Sequence, residues 1–65
     1  MDTTEPLLQF FEFDHLRHDL KTTAESFQSL AYHVVSTIPR NPERTVALRK
    51  LLEAKDCAVR AMLYQ

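Results

Sequence analysis

Along residues 14–38 the apolar side chains recur at steps of three and four: Leu16, Leu20, Ala24, Phe27, Ala31, Val34 and Ile38, with Leu30 and Val35 widening the stripe. That is the period of an amphipathic α-helix, and His18, Glu25, Ser29 and Ser36 fall on its opposite, polar face. Asp14 suits the N-cap of this helix. Pro39 sets its end, because the residue before a proline is pushed out of the helical region. A second helix is predicted over 42–64. It opens with Asn41-Pro42-Glu43, which supplies a capping side chain, a proline where no N–H is needed, and an acid at the positive end of the helix dipole.

The second helix carries more apolar surface than one neighbour can cover. At about 100° per residue, Arg49, Glu53, Asp56 and Arg60 form one narrow charged stripe. Leu48, Leu52, Val59 and Leu63 make one flank, Ala47, Ala54, Cys57, Ala58 and Ala61 the other, with Leu51 and Met62 between them. An ordinary surface helix is apolar over about a third of its circumference, and this one over roughly two thirds. The pattern predicts packing within a hairpin on one side and against other subunits on the other, and Leu52 is placed at the buried contact.

Residues 1–13 read as a short N-terminal helix or aromatic segment, with Thr4 as cap and Pro6 in the first turn. Leu7, Leu8, Phe10, Phe11 and Phe13 crowd into it, and so dense an apolar run must dock on something. The two-proline connection Ile38-Pro39-Arg40-Asn41-Pro42 is short enough to make the long helices antiparallel neighbours. There is no glycine and no alternating strand pattern, so residues 1–65 read as one all-α domain: a short N-terminal helix and an antiparallel two-helix hairpin.

Composition sharpens the expectation of assembly. A 65-residue chain sits near the size at which one core is marginal, and small domains often add disulfides, metals or oligomerisation. One cysteine excludes an intrachain disulfide, and Cys57 on the small-residue flank reads as a buried, inert thiol in a reducing compartment. No apolar run reaches membrane-spanning length, and the start lacks the basic and apolar regions of a secretory leader. A formal charge of −1 and the lack of a basic face argue against DNA or RNA as partner.

Candidate chemistry is sparse. His15 and His18 beside Asp14 and Asp19 have ligand spacing, but His33 lies over four turns away, so solvated histidines are the simpler reading. Cys57 has no histidine near it in sequence, and Glu53 and Asp56 are flanked by Arg49 and Arg60 as in a solvated ion-pair ladder. No enzyme, cofactor or metal is expected. Arg44 is more informative. It lies in the first turn of the second helix, where a cation opposes the dipole, and in the row of Leu48, Leu51, Lys55, Ala58 and Met62, which faces packing surface. With Arg40 in the turn it suits an anion such as a phosphate at a helix start; equally it suits an acid on the first helix or on a neighbouring subunit.

The run Glu43-Arg44-Thr45-Val46-Ala47-Leu48-Arg49-Lys50-Leu51-Leu52-Glu53-Ala54-Lys55-Asp56-Cys57-Ala58-Val59-Arg60-Ala61, after a proline-containing turn, resembles the C-terminal helical hairpin of small phage proteins, the anti-CBASS and anti-Thoeris cyclic-nucleotide sponges. Many members read Glu-Arg-Ser-Leu-Ala-Leu-Thr-Lys-Leu-Glu-Glu-Ala there. The resemblance covers residues 27–63, including Phe27 and Leu30-Ala31, and is loose over the N-terminal segment. Arg49 stands where threonine is common, and Asp56-Cys57 replace a Met-Trp pair.

The resemblance implies a compact helical homo-oligomer, a hexamer built from dimers or trimers. It would act in the cytoplasm of the infected bacterium, sequestering cyclic di- or trinucleotide immune signals without catalysis. It implies base stacking by Phe10, Phe11 or Phe13 and phosphate binding by Arg44, with Arg40 and Lys21 as further cations. The alternative is a small oligomeric phage protein that binds a host protein through its aromatic N-terminal segment.

Overall fold

The computed structural model describes residues 5–13 and 17–64. They are all-helical: a 3-10 helix Pro6–Phe11, then α1 (His18–Thr37) and α2 (Pro42–Leu63). No strand occurs among the described residues. The side chain of Arg44 reaches the Ile38 carbonyl at one end of the hairpin, and Thr23 Oγ1 meets Met62 Sδ at the other, so the long helices run antiparallel.

Each element starts and stops for a local reason. Glu5 caps the 3-10 helix, its Oε2 accepting from Leu7 N at 3.3 Å, and Pro6 fills the first position, where its missing N–H has no consequence. Helix α1 begins at His18 rather than near residue 14. Arg17 stands at its N-cap without a side-chain bond, while Asp19 in the first turn accepts from Leu20 N at 3.0 Å and pairs with Arg17 at 3.3 Å. The expected cap Asp14, the stripe residue Leu16 and the expected cap Thr4 lie outside the described residues. Ile38 turns extended before Pro39 as anticipated, and its N–H still reaches Val34 O at 3.0 Å. Asn41 caps α2, with Oδ1 accepting from Arg44 N at 2.8 Å and Nδ2 donating to Pro39 O at 3.0 Å, so one side chain ties turn to helix.

The core lies at the turn end. Leu7, Leu8 and Phe11 from the 3-10 helix close over Ala31 and Val35 of α1 and Leu48 of α2, with Phe27, Tyr32, Val34, Leu51 and Leu52 packed around them. The dense N-terminal segment therefore docks on its own hairpin. Two residues of the expected α1 stripe are displaced: Leu30 and Ile38 are exposed, while Tyr32, absent from that stripe, packs against the core. In α2 the leucine side faces inward, whereas Ala47, Ala54, Cys57 and Ala61 are exposed. Cys57 is thus not the buried thiol expected; within one chain nothing packs over the small-residue flank deeply enough to bury it.

Candidate ligand site

The guanidinium of Arg44 is the most enclosed charge among the described residues. Its Nη2 lies 3.1 Å from Glu5 Oε1, and the two side chains retain 2% and 5% of their exposure. Its Nη1 donates to Ile38 O at 3.0 Å and Val35 O at 3.4 Å. Val35 lies in the last turn of α1 and Ile38 is its C-cap, the negative end of that helix's dipole, where acceptors lack intrahelical donors. The apparent conflict of a cation at the start of α2 resolves here. The backbone of Arg44 belongs to the positive end of one helix, but its charge is delivered to the negative end of the other. Glu5 in turn accepts from Leu7 N, so the pair joins all three elements. The acid the sequence left open is therefore on the N-terminal segment, on neither the first helix nor a second subunit. In this chain Arg44 presents no surface from which to grip a phosphate.

The other candidates divide by exposure. Phe11 is fully buried in the core, so it is a packing residue and offers no face for a base. Phe10 is 51% exposed and Phe13 half-buried, which leaves both with ring surface near solvent. Lys21 is half-buried on α1, and Arg40 is exposed in the interhelical turn. Two participants escaped the sequence. Glu5 was given no role, although its place directly before Pro6 is that of a cap. Lys55 lies in the inward row of Arg44 and Leu48; its side chain is only 13% exposed, with Nζ donating to Phe10 O at 2.7 Å and pairing with Asp56 at 3.2 Å. The buried stem with a charged tip at the rim is ordinary lysine behaviour. The bond ties down the backbone of Phe10, whose side chain is exposed.

Glu53 and Asp56 of α2 are paired, though not as the sequence suggested: Glu53 meets Lys50 at 4.0 Å and Asp56 meets Lys55, while Arg60 Nη2 contacts Cys57 Sγ at 3.3 Å. Arginine cannot accept the thiol proton, so this contact makes no nucleophile–base pair. His18 and His33 are exposed, and His15 and Asp14 lie outside the described residues. Among the described residues no three histidine, cysteine or acidic side chains gather as a metal site, and no helix is long and apolar enough to cross a membrane. Compared with family models, curated proteins and solved structures, the chain matches none.

Proposed function

We propose that this chain is a phage-encoded, homo-oligomeric sponge that binds cyclic di- or trinucleotide signals in the cytoplasm of the infected bacterium and performs no chemistry on them. The likeness of residues 27–63 to the sponge hairpin supplies the ligand class. The observation that carries the reading is the division of labour at the N-terminal segment: Leu7, Leu8 and Phe11 anchor it, while Phe10, whose carbonyl accepts from Lys55, stays exposed. A cyclic oligonucleotide presents flat bases and one negative charge per phosphate, so its site needs π-faces and cations together. Phe10 and Phe13 would provide the rings, Arg40 and Lys21 the cations, repeated by symmetry where subunits meet. The Arg44–Glu5 pair would hold that surface in shape.

The test is calorimetry of wild type against a panel of cyclic di- and trinucleotides, with Phe10→Ala alongside. Base stacking on an aromatic ring is worth about 1–3 kcal/mol, so Phe10→Ala weakens binding by about five- to a hundred-and-fifty-fold while the helical content stays intact. A wild type that binds nothing in the panel overturns the sponge reading and leaves host-protein binding through the exposed Phe10 in its place.

A further inference from the structure

The side of α2 turned away from Leu48 carries a regular stripe that its own hairpin does not use. Ala47, Ala54 and Ala61 recur every seven residues, with Lys50 and Cys57 between them on the same face, and all five are exposed. Small residues at that interval let a second helix approach to about 8 Å, the short end of helix-packing distances. A large exposed side chain borders the stripe: Val46 is 48% exposed.

The charges on this face say what covers it. Glu43 and Lys50 lie on it, and Glu53 and Arg60 lie on the charged stripe at its edge, beyond which stand Arg49 and Asp56; from N- to C-terminus Glu43, Lys50, Glu53 and Arg60 alternate in sign. Turned end for end, the same string is its own complement: the register that sets Glu43 opposite Arg60 also sets Lys50 opposite Glu53. A two-fold interface must be self-complementary in this way, each residue meeting in the partner the residue that meets it in return. A parallel pairing would instead bring Glu43 beside Glu43 and Lys50 beside Lys50. Near the axis, the Lys50–Glu53 pair already formed within one chain at 4.0 Å would meet its copy and close a ring of alternating charge.

We propose that two copies of this chain associate through antiparallel α2 helices, seated on the Ala47–Ala54–Ala61 stripe and held in register by Glu43–Arg60 and Lys50–Glu53 contacts. This rests on the assembly part of the function proposed above and not on its ligand. In this register Ala47 of one chain lies opposite Asp56 of the second copy and one residue's rise from its Cys57, whereas the two Cys57 residues stand about 16 Å apart along the helix axis. A disulfide needs Cα atoms about 4.4–6.8 Å apart, so wild type cannot cross-link through Cys57, and a cysteine at position 47 cannot reach Cys57 of its own helix.

The experiment is mild oxidation of full-length Ala47→Cys by oxidised glutathione, read on non-reducing gels, with sedimentation of the same samples. The expected result is a covalent dimer from Ala47→Cys, none from wild type, and none from Ala47→Cys combined with Cys57→Ala. Circular dichroism confirms that each variant is helical. Cross-linking of wild type through Cys57 overturns the antiparallel register. An Ala47→Cys protein that sediments as an oligomer without cross-linking overturns this interface and leaves assembly through another face. A monomer at micromolar concentration removes both the interface and the assembly. Cross-linked dimers that bind no cyclic nucleotide uphold the interface and remove the ligand.

Discussion

The two ends of the hairpin are built from the same pair of helices and hold together by different means. At the turn end, Phe11, Ala31 and Leu48 are fully buried, the Arg44–Glu5 ion pair is enclosed, and Asn41 ties the connection to α2. At the open end, Leu20 and Ala24 are buried on α1 but stand outside that connected core, while Met62, Leu63 and Tyr64 of α2 are 45%, 47% and 87% exposed. Among the described residues, Thr23 bonds to Met62 sulfur across the helices there. The difference lies in the third element. The 3-10 helix covers the turn end and brings both the apolar side chains that fill it and the acid that neutralises Arg44. Burial depends on how many elements converge, more than on how apolar each one is.

That contrast can be broken most severely at Arg44. Arg44→Ala leaves Glu5 buried without its cation and is expected to lose about 3–5 kcal/mol in urea unfolding. A domain of this length is stable by only about 3–10 kcal/mol, so the variant is expected to lose between a third and all of its stability. Loss of helicity in Arg44→Ala would therefore say nothing about a ligand. Leu48→Ala comes next: a fully buried leucine truncated between three elements costs about 2–5 kcal/mol by the same measurement. A loss under 1 kcal/mol would place the core elsewhere.

Smaller effects sharpen the comparison. Asn41→Ala removes the bond to Arg44 N and is expected to cost about 1 kcal/mol, seen as a lowered urea midpoint with unchanged slope. At the open end, Thr23→Val deletes a bond to an exposed thioether, a weak acceptor, and the change in stability is expected within about 0.5 kcal/mol. An effect of Thr23→Val as large as that of Asn41→Ala would mean that the open end carries as much of the fold as the turn end.

The helices and their connection were legible because their signals are local: Asn41-Pro42 before α2, Pro39 after α1, and apolar steps of three and four between. The start of α1 was not, since Arg17 and Asp19 rather than Asp14 organise its first turn. Arg44 was singled out for the right reason, its inward row, yet its partner was not readable. Glu5 is 39 residues away and becomes its neighbour only when the 3-10 helix folds back. Phe10 and Phe11 show the same limit. They are adjacent and chemically identical, and only the docking of the short helix decides that Phe11 is fully buried while Phe10 stays 51% exposed. Exposure of Cys57 follows from a fact about pairs of helices: one antiparallel neighbour plus a short segment cannot cover an arc as wide as that of α2.

The central claim is that the Glu5–Arg44 pair is framework and that the ligand is gripped by groups outside it. Replacing both partners with apolar side chains removes the charges without stranding either, a change that buried pairs often tolerate. Calorimetric titration of a cyclic trinucleotide into wild type and into the Glu5→Met, Arg44→Met double variant tests this directly. The account predicts that the double variant folds, regains most of the stability lost in Arg44→Ala, and binds with wild-type affinity. A folded, assembled double variant that no longer binds a nucleotide held by wild type would contradict it and return Arg44 to the ligand.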